Sequence, residues 1–64
     1  MDGKIRKFFA DKGFGFISTP NGPDHFFHID DVINASKNDI SIGRDVSFES
    51  SDTAKGKRAT LITL

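Results

Sequence analysis

Cysteine, tryptophan and tyrosine are all absent from this chain of 64 residues. Without cysteine there is neither a disulfide nor a thiolate metal site, which fits a cytoplasmic protein. No apolar run approaches the length of a membrane-spanning helix, and no signal-peptide pattern of charge, apolar stretch and small-residue cleavage site is present. No association with a membrane is therefore expected. An excess of one charge is also lacking: nine Lys and Arg balance nine Asp and Glu, so net charge is no mark of a nucleic-acid binder. The distribution is uneven, however. Lys4, Arg6, Lys7 and Lys12 crowd one end against Asp2 and Asp11, while Asp24, Asp30, Asp31, Asp39, Asp45, Glu49 and Asp52 occupy the middle. A neutral chain polarised in this way can still present a basic face. The length allows one small domain, 1–64, and a correspondingly small core.

What the chain does have is phenylalanine, seven residues of it. The densest arrangement is Lys12-Gly13-Phe14-Gly15-Phe16-Ile17. On a strand, side chains alternate between faces. Phe14 and Phe16 then share one face, and Gly15 and Ile17 the other. A first strand precedes it over 3–9. Ile5 points inward, and simple alternation would bury Lys7 as well. A bulge or strong twist near Lys7 removes that conflict and turns Phe8 inward. Residues 10–13 form a tight turn into the second strand, 13–18. Thr19-Pro20-Asn21-Gly22-Pro23 is a strong turn signal. The third strand covers 24–29, with Phe26 and His28 on one face and His25, Phe27 and Ile29 on the other. Asp30 stands where a cap would, ahead of one short helical turn at Asp31-Val32-Ile33. Residues 34–39 read as polar loop. A fourth strand covers 44–50, residues 51–56 a loop, and a last strand 57–63. Five short strands at fairly even spacing predict an all-β, five-stranded antiparallel barrel with one short helical turn after strand 3.

So small a barrel has room for few large side chains. Ile5, Phe8, Ile17, Phe27, Val32, Ile40, Val46, Phe48 and Ile62 fill that role. Phe14, Phe16 and Phe26 are then surplus, on neighbouring strands and on the face away from the core. Exposed side by side, they would promote aggregation unless used. A flat apolar surface beside Lys12 and His28 is what unpaired bases stack on while cations hold the phosphates.

Lys12-Gly13-Phe14-Gly15-Phe16-Ile17 followed by His25-Phe26-Phe27-His28-Ile29 resembles the two ribonucleoprotein motifs of the cold-shock domain family, in that family's order. The likeness runs along essentially the whole chain, including Gly3, Asp11, Gly43, Val46-Ser47-Phe48 and Ala59 to Thr63. RRM domains carry a similar first motif, but they need two helices and place their second motif before the first. The resemblance implies a five-stranded OB-type barrel that binds single-stranded RNA or DNA, commonly as an RNA chaperone. It also implies a ligand contact at Lys55, where the family carries a cation. Lys7 stands where the family usually has an exposed Trp, Ile29 where the second motif usually ends in Phe, and Lys37 where a base-contacting Phe is common. Phe9 replaces a usual Asn, which would return one aromatic to the edge of the platform, and Asp30 replaces a usual Ser. Fewer stacked bases and a larger share of binding from phosphate contacts are therefore expected.

The candidate nucleic-acid-binding residues are thus Arg6, Lys7, Lys12, Phe14, Phe16, Phe26, His28 and Lys55. No catalytic set is visible, and neither cofactor nor metal is expected. His25 and His28 fall on opposite strand faces, which argues against a shared metal. Gly13 and Gly15 do not form a phosphate-cradling loop, because no helix follows them. A monomer is expected. The competing reading is a protein-interaction module of the same fold that has lost or weakened nucleic-acid binding, favoured by the missing Trp and the neutral charge.

Overall fold

The computed structural model describes residues 1–20 and 22–64. Five strands, β1 (Asp2–Phe9), β2 (Phe14–Thr19), β3 (Gly22–His28), β4 (Asp45–Thr53) and β5 (Gly56–Thr63), close into a barrel in the order β1-β2-β3-β5-β4. The closed five-stranded barrel is the one the strand pattern predicts, and its OB type is the one the family resemblance implies. The β1–β2, β2–β3, β1–β4 and β4–β5 pairs are antiparallel. The pair that closes the seam, β3 with β5, is parallel and joins Phe26 to Arg58. An all-antiparallel barrel is corrected at this one joint: β5 turns back from β4 in the direction that β3 already runs.

The interior holds Ile5, Ile17, Phe27, Val32, Val46, Phe48, Ala59 and Ile62, with Phe8 and Ile40 packed against them half-buried. Every residue expected in the core contributes to it. Ala59 and Ile62 are both buried although three residues apart, which strict alternation forbids. Leu61 resolves this with a left-handed backbone (φ 50°), where the β4–β5 register shifts between Ser47 and Glu49. It is exposed itself. His25 is also enclosed. Its ring lies 5.0 Å from that of Phe48, Nδ1 is 3.1 Å from the Pro23 carbonyl and Nε2 is 2.8 Å from Ser50 Oγ. A carbonyl only accepts, so the ring donates to it through Nδ1.

The bulge foreseen in β1 lies between Ile5 and Lys7. Ile5 pairs with Ile17 and Lys7 with Phe16, leaving Arg6 outside the ladder. The extra residue flips the faces, so Phe8 turns in to stack on Phe27 with centroids 5.9 Å apart. Gly15 makes the bulge possible. A Cβ there would lie 2.2 Å from the Lys7 carbonyl oxygen and 2.9 Å from the Phe27 ring, too close for any side chain.

Three local expectations change. The helical turn is a 3₁₀ turn at Ile29–Asp31, and His28 rather than Asp30 caps it. The His28 ring Nδ1 accepts from Asp30 N at 3.2 Å, while Asp31 Oδ2 accepts from His28 N at 3.2 Å. The turn stops there because Val32 must be extended to bridge Ile62 and fill the core. The segment expected as loop at 34–39 contains a second 3₁₀ turn, Lys37–Asp39, where Ser36 N and Oγ both donate to Asp39 Oδ2. Finally, β4 and β5 extend into the expected 51–56 loop until Thr53 pairs with Gly56. Only Ala54 and Lys55 remain at the tip, with Gly56 at φ 126°. The turn signal at 19–23 includes Asn21, which lies outside the described residues; Thr19 and Gly22 pair across it.

Candidate nucleic-acid interface

The outer face of β1–β3 carries the surplus aromatics as one cluster. Phe16 pairs with Phe26, Phe14 with His28 and Phe9 with Phe14 across the ladders. Directly opposed residues share a sheet face, so the five side chains stand together. Ring centroids are 5.1 Å apart for Phe9–Phe14, 5.5 Å for Phe14–Phe26, 6.0 Å for Phe16–Phe26 and 6.2 Å for Phe14–Phe16. Tilted and edge-on contacts of this length are favourable aromatic geometry. Phe14, Phe16 and Phe26 are half-buried and Phe9 is exposed, so the rings brace one another while keeping surface open to solvent. The rings of Phe27 and Phe8, by contrast, pack inside the barrel.

The cations surround this surface in different states. Lys7 lies across from Phe16. Lys12 ends the β1–β2 turn, in which Lys12 N and Gly13 N both donate to the Phe9 carbonyl. Gly13 adopts φ 74°, and a Cβ on it would meet the His28 ring at 3.7 Å. The turn therefore brings the backbone that follows Lys12 beside the His28 ring. Lys55 sits at the β4–β5 hairpin tip and, with Lys57 and Arg58, borders an open depression whose other wall is Phe16 and Phe26. Among the described residues Lys7, Lys12 and Lys55 make no ion pair, whereas Lys4 pairs with Asp45, Arg6 with Asp24, Lys57 with Asp52 and Arg58 with Asp31. A chain with no net charge thus leaves uncompensated positive charge beside its aromatics.

Arg6 differs from the other candidates. Bulged out of the ladder, its Nη1 donates to Asp24 Oδ2 at 2.7 Å. It borders a second shallow depression with Lys7, Phe9 and Phe16, but its charge is already partnered. Lys37 lies in the second 3₁₀ turn, and among the described residues no hydrogen bond or ion pair joins it to the cluster. Two residues outside the candidate set join the surface. Phe9 extends the row of rings, as the alternation after the bulge would have indicated. The Arg58 guanidinium carbon is 5.9 Å from the Phe26 ring centre; no local signal reveals this, because it depends on the parallel seam. Among the described residues no three His, Cys, Asp or Glu side chains gather as a metal site.

A closed five-stranded barrel with an aromatic, cation-edged outer face on strands 1–3 defines a nucleic-acid-binding OB-type domain. The chain belongs to the cold-shock domain family: the family model described as "'Cold-shock' DNA-binding domain" matches residues 1–64. It is 38% identical to a major cold shock protein of Streptococcus pyogenes serotype M6 over 61 residues, 95% of this chain and 91% of that protein. It is 36% identical to the cold shock-like protein CspE of Bacillus anthracis over 59 residues, 92% and 88% of the two chains. Among solved structures it matches the Drosophila Unr CSD456 structure with a TM-score of 0.78 and 27% identity, over 97% of this chain and 25% of that one.

Proposed function

We propose that this protein binds single-stranded RNA or DNA and keeps strands unpaired, as an RNA chaperone does. The observation that carries this reading is the contiguous outward cluster of Phe14, Phe16 and Phe26, set among Lys7, Lys12 and Lys55, which have no acidic partner among the described residues. The rings offer flat apolar faces to successive bases, each stacking contact contributing about 1–3 kcal/mol. Lys7, Lys12 and Lys55 neutralise phosphates along the track. His28, with Nδ1 occupied by the Asp30 amide, presents its other ring nitrogen at the edge of the row. Arg6 contributes only as far as Asp24 releases it.

Stacking is indifferent to base identity, because every base has a π-face. A surface of this kind coats a strand without demanding a sequence, and an occupied strand cannot pair. The protein-interaction alternative is not favoured, since Phe14, Phe16 and Phe26 form one outward cluster and the relatives carry cold-shock names. No described helix is long and apolar enough to cross a membrane. The reading carries with it the expectation of a monomer acting in the cytoplasm, and of no catalytic activity.

The test is competition between a short pyrimidine strand and its duplex form, read by backbone-amide NMR because the chain has no Trp to quench. Duplex buries the base faces that the rings need. The single strand should win clearly, with shifts centred on Phe14, Phe16 and Phe26. A duplex that binds better would refute the mechanism even if binding were seen.

A further inference from the structure

We propose that Arg58 reads base identity on this interface, favouring guanine in the strand that lies beside Phe26. The inference rests on the nucleic-acid reading above.

The parallel bridge between Phe26 and Arg58 brings the two side chains together at the barrel seam. The guanidinium carbon lies 5.9 Å from the ring centre, within cation–π range. Its position is fixed from the other side. Arg58 Nε and Nη2 both donate to Asp31 Oδ2, at 3.3 and 3.0 Å. The Asp31 side chain is only 15% exposed, and the same oxygen accepts from the His28 amide, so the capped 3₁₀ turn anchors the arginine. Lysine, a flexible point charge, could not be held in one plane in this way.

The Asp31 contact occupies the Nε–Nη2 edge of the guanidinium. The Nη1–Nη2 edge has no partner among the described residues, and Arg58 lines the depression between Phe26 and the β4–β5 hairpin. A planar fork with two free parallel donors therefore stands next to a stacking ring. Guanine matches both at once: O6 and N7 accept the fork, and the double ring covers the aromatic. Adenine sets an N–H donor beside N7, and thymine has no adjacent pair of acceptors. Cytosine offers N3 and O2, but on a single ring. A phosphate would satisfy the fork without using Phe26.

The experiment measures affinity for a short oligothymidylate and for the same strand with one guanine or one adenine placed at each position in turn. For the wild type, guanine at one position should tighten binding about tenfold over thymine, and adenine should not. Arg58→Gln and Arg58→Lys should lose that preference while still binding oligothymidylate. Asp31→Asn should weaken it, because the fork is no longer held. Three results would overturn the proposal: equal gains from guanine and adenine, which mark ring size alone; a guanine preference that survives both Arg58 variants; or an equal loss on all strands with a flatter salt dependence, which marks a phosphate contact. If the wild type binds no oligothymidylate, the parent reading fails and this one with it. Amide spectra of the variants establish that each is folded.

Discussion

Lys7 stands directly across from Phe16 in the β1–β2 ladder, on the outer face of the barrel. It reaches that face only because Arg6 is left out of the pairing. An aromatic at this position would add a stacking surface beside Phe16; this chain supplies a charge instead.

That exchange has a measurable signature. Phosphate neutralisation releases counterions, and for single strands log K falls with log salt at a slope of about −0.7 per neutralised phosphate. Lys7→Gln should weaken binding and flatten the slope by up to ~0.7. Lys7→Trp should also flatten it, yet tighten binding at moderate salt by about 1–3 kcal/mol through stacking. Titrations of both variants across a salt series read the two effects separately. No change in either variant would place Lys7 outside the site.

Truncating the outer rings should affect binding more than folding. Phe14→Ala, Phe16→Ala or Phe26→Ala should each cost about 1–3 kcal/mol of binding. Phe27, fully enclosed, should instead lose roughly 3–5 kcal/mol of stability on truncation to Ala. Urea unfolding beside oligonucleotide titration checks this. Unfolding losses at Phe14 as large as at Phe27 would contradict the division into platform and core.

Arg6 and Asp24 form a 2.7 Å ion pair at the rim, both side chains partly exposed. An exposed pair of this kind contributes about 0–1 kcal/mol to stability, so breaking it should hardly move the unfolding midpoint. Asp24→Asn frees Arg6 and removes a repelling charge. Affinity for a single strand should rise, and the salt slope should steepen by up to ~0.7. Unchanged affinity and slope would show that Arg6 stays away from the ligand.

Gly15 tests the bulge itself. Its backbone is ordinary extended strand, so conformation alone would admit alanine; the obstacle is the Lys7 carbonyl, 2.2 Å from the added carbon. Backbone cannot yield as a flexible side chain would. Gly15→Ala should destabilise by about 1–3 kcal/mol or more, and it should displace Lys7 and Phe9 relative to Phe14 and Phe16. Thermal unfolding measures the first effect, and weaker oligonucleotide binding under fully folded conditions the second. A variant as stable as the wild type would mean that β1 and β2 have room to separate there.

Alternation along each strand was enough to divide the phenylalanines. Phe27 and Phe48 inside, Phe14, Phe16 and Phe26 outside follow from a period of two, and a lysine on an otherwise inward position was enough to require a bulge near Lys7. These are local properties, carried by neighbours in the chain. The closure of the barrel is not local. The parallel seam that sets Arg58 against Phe26, the pairing of Arg6 with Asp24, and the enclosure of His25 by Phe48 and Ser50 all join residues far apart in sequence. Their partners depend on strand order and register. Competition between local signals decided the rest. Asp30 has the chemistry of a cap, but Val32 must be extended to reach Ile62, so the 3₁₀ turn ends at Asp31 and His28 caps it. Polar residues at 51–53 read as loop because no apolar side chain marks a face, yet backbone pairing with β5 needs none. The sequence by itself determined which phenylalanines face the core and which face outward; the tertiary structure alone decided which charges stay free beside the rings, because ion pairing is settled by strands that meet only when the barrel closes.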